Sequence, residues 1–220
     1  MKTVAFIPIK LNNERTPGKN IKPFADGTPL MNFVQNSLLA LKKNGQIGNI
    51  YVYCSDEAVK DYILEGIEFL QRPDRLDRKE TKGTDIYQEF VKTVDADVYV
   101  LAHATSPFIS VDHMEKCVSA VQSGKYDSAF CAKKIQNFLW CDNKPMNFVL
   151  NDPPRTQDMK QIYMEQSTPY VFTREAFQTY GARTGVKPYI CEVSEIECVD
   201  IDYPEDFELA NIIYMNLLKK

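Results

Sequence analysis

The chain has 220 residues, of which 44% are hydrophobic and 25% charged, a composition suited to one globular domain that buries a substantial core. Net charge is −4, from 26 basic and 30 acidic side chains, so no global field draws nucleic acid or an anionic membrane, and any anion site must be local. The first apolar run is too short for a signal-peptide core or a membrane span, and a cytoplasmic protein is expected.

Residues 4–9 form a short apolar, partly β-branched run that reads as a buried strand of a parallel sheet. The loop behind it holds Lys10, Arg15 and Lys19 with the turn formers Asn12, Asn13 and Gly18, and Pro17 stiffens it. A helical period over 29–44 predicts the first crossover helix, residues 50–54 a second strand, residues 57–64 a helix capped by Ser55-Asp56, and residues 67–70 a third strand. Thr84-Asp85 opens a helix through 94, residues 97–102 form a buried strand, a helix follows over 111–123, and residues 128–132 return as a strand. Strands alternating with helices imply a doubly wound sheet with right-handed crossovers.

Residues 133–166 break this rhythm, with turns and apolar residues such as Phe138, Trp140, Phe148 and Leu150. A protruding arm that needs a second subunit to cover it is the expectation. Beyond it, residues 170–172 rejoin the sheet, residues 174–180 form a short helix and residues 189–193 a strand. The last helix spans 204–218, with Pro204 in its first turn, Glu205 and Asp206 at its positive end and Lys219-Lys220 at its negative end. Six cysteines (Cys54, Cys117, Cys131, Cys141, Cys191, Cys198) make no C-x-x-C pair and read as reduced core residues. Only two histidines occur: His113 reads as ordinary surface, and no Ser-His-Asp or Cys-His order is present.

Ligands of open α/β sheets lie at the carboxyl ends of the strands, so Lys10, Arg15 and Lys19 emerge where an anion would bind. Neither G-x-x-x-x-G-K-[ST] nor G-x-G-x-x-G is present, so side-chain charge must do the cradling. Near the C-terminus, Asp200 and Asp202 alternate along an extended run and are expected to point to one side, where oxygen ligands of this kind suit Mg²⁺. One of the two could instead cap the last helix.

The N-terminal pattern resembles the I-P-A-R-x-x-S-x-x-x-P-x-K-N signature of the acylneuraminate and 3-deoxy-manno-octulosonate cytidylyltransferases, the CMP-sugar synthetases. Three further segments match in order: Gln71-Arg72-Pro73 with Leu76, Ala104-Thr105-Ser106-Pro107, and the C-terminal V-D-I-D-Y-P-E-D-F run; Arg155-Thr156-Gln157-Asp158 looks like the family's arginine-bearing segment. The resemblance implies a three-layer α/β/α Rossmann-like nucleotidyltransferase fold with a mostly parallel sheet, one domain over 1–220, and residues 133–168 as a dimerisation or acceptor-site arm. It implies CMP transfer from CTP to an acidic acceptor such as sialic acid, with pyrophosphate leaving, in capsule or surface-glycan biosynthesis.

By the same resemblance Lys10, Asn13, Arg15 and Lys19 contact the triphosphate, Arg72 and Thr84 lie beside cytidine, and Asp200 and Asp202 hold Mg²⁺. Lys10, Lys19 and Asp202 are the expected catalytic set. His103, Arg155 and Gln166 fall on the acceptor side. Two departures stand there: His103 replaces a glutamine, where a raised pKa would assist contact with an anion, and Gln166-Ser167-Thr168 replaces an Asn-Gly. Lys10 stands where relatives carry arginine, so a forked grip on phosphate becomes a point charge. On the residues alone, Arg72 could be an ion pair to Asp74 or Asp77, Thr84 a helix cap, and His103 a buried structural histidine. Another keto-acid sugar or a phosphorylated metabolite as acceptor, a D-x-D nucleotide-sugar glycosyltransferase, and a non-catalytic nucleotide sensor are the alternative readings.

Overall fold

The central strand β1 (Thr3–Pro8) buries side chains on both faces, because alternate residues feed two separate cores. The structure, a computed structural model, describes residues 1–13 and 15–219. Glu14 of the first loop and Lys220, expected at the end of the last helix, lie outside the described residues.

Ala5 and Ile7 pack with α1 (Leu30–Lys43) and α3 (Val111–Gln122) on one face of the sheet. Val4 and Phe6 pack with α2 (Gly83–Thr93) and α4 (Arg174–Tyr180) on the other, where the Phe6 and Phe90 rings stack at 4.0 Å. These are the expected three layers. β1 pairs in parallel with β2 (Ile50–Cys54) and β4 (Val98–Leu101), and β2 pairs in parallel with β3 (Glu68–Gln71). The seven strands run β3-β2-β1-β4-β8-β5-β9.

β8 (Ile162–Thr173) is antiparallel to both β4 and β5 (Ser128–Ile135), while β9 (Pro188–Glu192) is parallel to β5. The reason lies in the connection. β5 and β8 are joined by an excursion without a crossover helix, which returns the chain in the opposite direction. The expected arm is therefore shorter than 133–168. Its first residues extend β5, residues 162–168 belong to β8, and Ile135 pairs with Ile162 at the base. Beyond that base, β6 (Trp140–Cys141) and β7 (Lys144–Pro145) form a hairpin whose two turn residues, Asp142 and Asn143, have φ of 48° and 61°. That left-handed pair is the turn a two-residue hairpin favours.

Three local expectations change. The helix expected over 57–64 is a 3₁₀ segment, Glu57–Tyr62, with Asp56 accepting from the Ala58 N–H. The final helix α5 (Pro204–Ile213) passes into a π-helical turn over Tyr214–Leu218. Asp200 and Asp202 are not on a sheet strand at all. Instead Ile201 between them is fully buried with Phe24, Leu30, Phe108 and Phe207, and its N–H donates to the Thr105 carbonyl at 2.8 Å. That small aromatic core fixes the C-terminal segment against the loop behind β1.

Candidate active site

The loop from β1 to α1 is held by its own polar groups. The Asn20 amide donates to the Lys10 carbonyl at 2.9 Å, and Gly18 takes φ 67°, a conformation glycine adopts without cost, just before the 3₁₀ turn Lys19–Ile21. Lys19 is buried there and points at the C-terminal segment: its Nζ donates to the Ile201 carbonyl at 2.6 Å and to Asp202 Oδ1 at 3.2 Å. The Arg15 guanidinium donates to Asp202 Oδ2 at 2.8 Å, and the Thr16 hydroxyl to the Asp202 carbonyl at 3.0 Å. Burial pushes the Asp202 carboxyl upward, but Lys19 and Arg15 outweigh it and hold the group below the usual carboxylate range.

These groups line a cleft of about 310 Å³ at the carboxyl end of β1. Lys10, Arg15, Lys19, Arg78 and Lys79 face it, and among the described residues Asp202 supplies the one carboxylate. Asn13 also lines it, and its Oδ1 is buried without a hydrogen-bond partner. Arg78 and Lys79 were missing from the sequence reading. They follow directly on the Arg72-Pro73 segment, and their basic character was the available signal. Lys10 donates to the Asp77 carbonyl at 2.8 Å, and Asp77 in turn accepts from Arg72 at 2.5 Å.

Arg72, only 1% exposed, thus makes the ion pair with Asp77 that the sequence left open. Its Nε is buried without a partner. Thr84 falls elsewhere. It is exposed near the start of α2 and lines a separate cavity of about 360 Å³ between α2 and α4, together with Gln88, Arg174 and Phe177. Leu76, Thr81 and Ile86 are what this region contributes to the cationic cleft.

Asp200 and Asp202 do not share one side. Asp202 faces the cationic cleft, whereas Asp200 lines a cavity of about 260 Å³ with Lys133, Met164, Glu195 and Asp206. Asp200 Oδ2 accepts from the Ser167 hydroxyl at 2.8 Å, and its Oδ1 is buried with no partner. The segment joins no strand of the sheet, so the two-residue alternation that would put both carboxylates on one side does not hold.

On the expected acceptor side, His103 is spoken for at both ring nitrogens. Nδ1–H donates to the Ser167 carbonyl at 2.5 Å, which leaves Nε2 to accept from the Tyr87 hydroxyl at 3.1 Å. Burial pushes its pKa down, not up, with only partial opposition from the Ser167 carbonyl. The raised pKa that would assist contact with an anion is not found, because desolvation of the imidazolium exceeds the help from the Ser167 carbonyl and Asp200. Gln166 is buried on β8 with its amide 3.5 Å from the Met164 carbonyl, and Arg155 is exposed on the arm, paired with Asp158 at 2.6 Å. His113, expected at the surface, accepts a place in a polar knot, its Nδ1 lying 2.7 Å from Glu197 Oε1.

Arg183, unremarked in the sequence, stands on this side as well. Its guanidinium lies 3.8 Å over the Tyr170 ring and 3.5 Å from Glu165 Oε2, and its charge acts on both Tyr87 and His103. No pattern around Arg183 announced it; only the folding of the α4–β9 loop over β8 brings it there.

The family profile described as cytidylyltransferase matches residues 4–218. A 3-deoxy-manno-octulosonate cytidylyltransferase from Hydrogenovibrio crunogenus is 25% identical over 134 residues, which cover 59% of this chain and 51% of that relative, so the match spans about half the relative's length. Among solved structures, a CMP:2-keto-3-deoxy-manno-octonic acid synthetase complexed with CTP superposes with a TM-score of 0.74 at 17% identity, covering 99% of this chain and all (100%) of that one. A 4-diphosphocytidyl-2C-methyl-D-erythritol synthase from Anaerococcus prevotii gives 0.70 at 16% identity, with 98% and 99% covered. Those likenesses show the nucleotidyltransferase fold, and the profile match over nearly the whole sequence shows that this chain belongs to the cytidylyltransferase family.

Proposed function

We propose that this protein transfers CMP from CTP to an acidic acceptor sugar and releases pyrophosphate. The observation that carries the reading is the convergence of five cationic side chains on one cleft beside a single carboxylate, at the strand end where this fold class binds ligands. A triphosphate is the polyanion that such a set of cations would receive. Lys10, Arg15 and Lys19, with Arg78 and Lys79 behind them, would neutralise the charge that grows on the departing pyrophosphate, and such preorganised charge is the largest usual contribution to catalysis of this kind. Asn13 Oδ1, buried and unpartnered on the same wall, is an acceptor waiting for a ligand hydroxyl or amino group.

Of the two aspartates expected to hold magnesium, only Asp202 lines the cationic cleft and Asp200 faces another cavity, so as a pair they do not fit a single ion. Asp200 holds one buried oxygen without a partner, and Asp202 is tied to Arg15, whose side chain is 57% exposed and free to turn toward phosphate. Asp202, the carboxylate in the cleft, would be the one to hold the ion, which when bound neutralises phosphate charge. The reading of the pair as a glycosyltransferase D-x-D motif has no separate support here, since the two carboxylates face different cavities.

The acceptor is read as a keto-acid sugar of the nonulosonate or octulosonate kind. His103 would position, rather than charge, this region; the cation whose charge acts on it is Arg183, which with Arg155 of the arm would meet the acceptor carboxylate. The whole chain acts as one domain in this reading, and two arms with their exposed Trp140, Val149 and Leu150 cover each other in a homodimer. Among the described residues no helix is long and apolar enough to cross a membrane. The test is direct: incubate the protein with Mg²⁺, each nucleoside triphosphate and a panel of acidic acceptors, and record pyrophosphate. Release with CTP and an acceptor together supports the reading; none under any condition sinks it.

A further inference from the structure

Cys117 on α3, Cys131 on β5 and Cys191 on β9 come from three separate elements, yet their sulfurs all lie within 4.8 Å of one another. Cys117 Sγ and Cys131 Sγ are 3.9 Å apart. All three are buried, with Cys191 retaining 3% exposure. Cys54 on β2 is equally buried but stands outside the group, as an apolar packing residue does.

Convergence of this kind has a geometric meaning. Thiolates bound to one ion through metal–sulfur bonds of about 2.3 Å, and spread in a plane around it, sit about 4 Å apart. The Cys117–Cys131 pair, at 3.9 Å, already has that spacing, and Cys191 lies within 4.8 Å of both. Donor type and number then choose the ion. Thiolates select soft cations, whereas zinc closes its structural sites with four ligands. Among the described residues no fourth His, Cys, Asp or Glu joins the three, and the nearby His113 is engaged by Glu197 and by Ser110 at 3.0 Å.

Charge and access are both provided for. Lys116 and His113 of α3 act electrostatically on Cys191, which offsets part of the negative charge that deprotonated sulfurs would bring into the core. β9 is the last strand of the sheet order, so opening of one edge strand exposes the cluster without unfolding the centre.

We propose that Cys117, Cys131 and Cys191 form a three-coordinate site for one thiophilic monovalent cation of the Cu(I) class. Binding forms three metal–sulfur bonds and releases the displaced thiol protons to solvent, with no change of oxidation state. The ion ties α3 and β5 to the edge strand that leads on to Glu197 and Asp200. This site is independent of the nucleotide cleft.

The test uses the full chain under anaerobic conditions, with Cys141 and Cys198 replaced by serine in every sample to remove the more exposed thiols. Cu(I) is titrated in competition with a coloured Cu(I) chelator. One ion per chain, with affinity lowered at least tenfold by Cys131→Ser and unchanged by Cys54→Ser, is the expected result. Equal uptake by the Cys131→Ser variant, or no uptake in competition with the chelator, overturns the proposal. Should Cys131→Ser fail to fold, sulfur coordination measured by X-ray absorption on the Cu(I)-loaded parent decides: three sulfur neighbours support the site, and two or fewer refute it.

Discussion

Lys19 and Asp202, 183 positions apart in the chain, form a 3.2 Å ion pair while the same ammonium donates to the Ile201 carbonyl at 2.6 Å. One buried cation thus joins the loop behind the first strand to the segment before the last helix. Ile201, locked in the aromatic core of Phe24, Phe108 and Phe207, holds the other end still. Position and charge of the cleft depend on this join.

Replacing the carboxylate tests it. Asp202→Asn removes the partner of both Arg15 and Lys19, and CTP-dependent pyrophosphate release should fall by about 100-fold or more. Binding of CTP without Mg²⁺ should not weaken, because the cleft loses only negative charge. Fluorescence titration with CTP beside a turnover assay checks this, and unchanged turnover would remove Asp202 from the proposed metal set.

Arg72→Met should destabilise the fold by about 3 kcal/mol, since the change leaves Asp77 without its buried cation. Asp77 also supplies the carbonyl that holds Lys10, so the KM for CTP should rise as well. Chemical denaturation with steady-state kinetics separates the two. A variant as stable as the parent, with the same KM, contradicts the role assigned to Arg72.

Glu197 gives a pH prediction. Burial raises its carboxyl, yet hydrogen bonds from His113, Ser110 and Ser194 pull it down to about 2. A carboxyl with a depressed folded pKa adds stability that is complete above its unfolded value and is lost as pH falls toward the folded one. The parent should therefore lose about 2 kcal/mol between roughly pH 5 and pH 2 from this group, and Glu197→Gln should lose that part of the slope. Denaturation midpoints across that range provide the check.

His103 behaves in the opposite sense from a charged acceptor contact. Burial lowers its pKa, so on acidification the unfolded chain takes up the proton first, and stability drops as pH falls through about 6.5. His103→Gln should flatten that part of the profile. Proton NMR of the ring should show neutral imidazole at pH 7, and an imidazolium there would be at odds with the Ser167 and Tyr87 contacts.

The arm offers a fourth kind of test. Trp140, Val149 and Leu150 are 54%, 62% and 64% exposed, more apolar surface than a lone hairpin normally leaves open. Trp140→Ser with Leu150→Ser should shift a dimer toward monomer in sedimentation velocity, without lowering the unfolding temperature of the core. An unchanged dimer would place the interface elsewhere.

The sequence by itself determined the layered α/β architecture, because two-sided apolar strands such as residues 4–9 and periodic helices such as residues 30–43 carry their burial in local pattern. It also marked Lys10, Arg15 and Lys19 as a group, since short spacing keeps their charges in one loop. It could not show that β8 runs antiparallel, which depends on how the 136–161 excursion returns, nor that Asp200 and Asp202 face apart, which depends on a segment that joins no strand of the sheet. For Arg72 and His103 the sequence left open which alternative holds, and the placement of Arg183 and the convergence of the three cysteines were out of reach. Their roles rest on partners such as Asp77, 5 positions from Arg72, and Ser167, 64 positions from His103, or on desolvation, and only tertiary packing sets which groups meet and how much water remains between them.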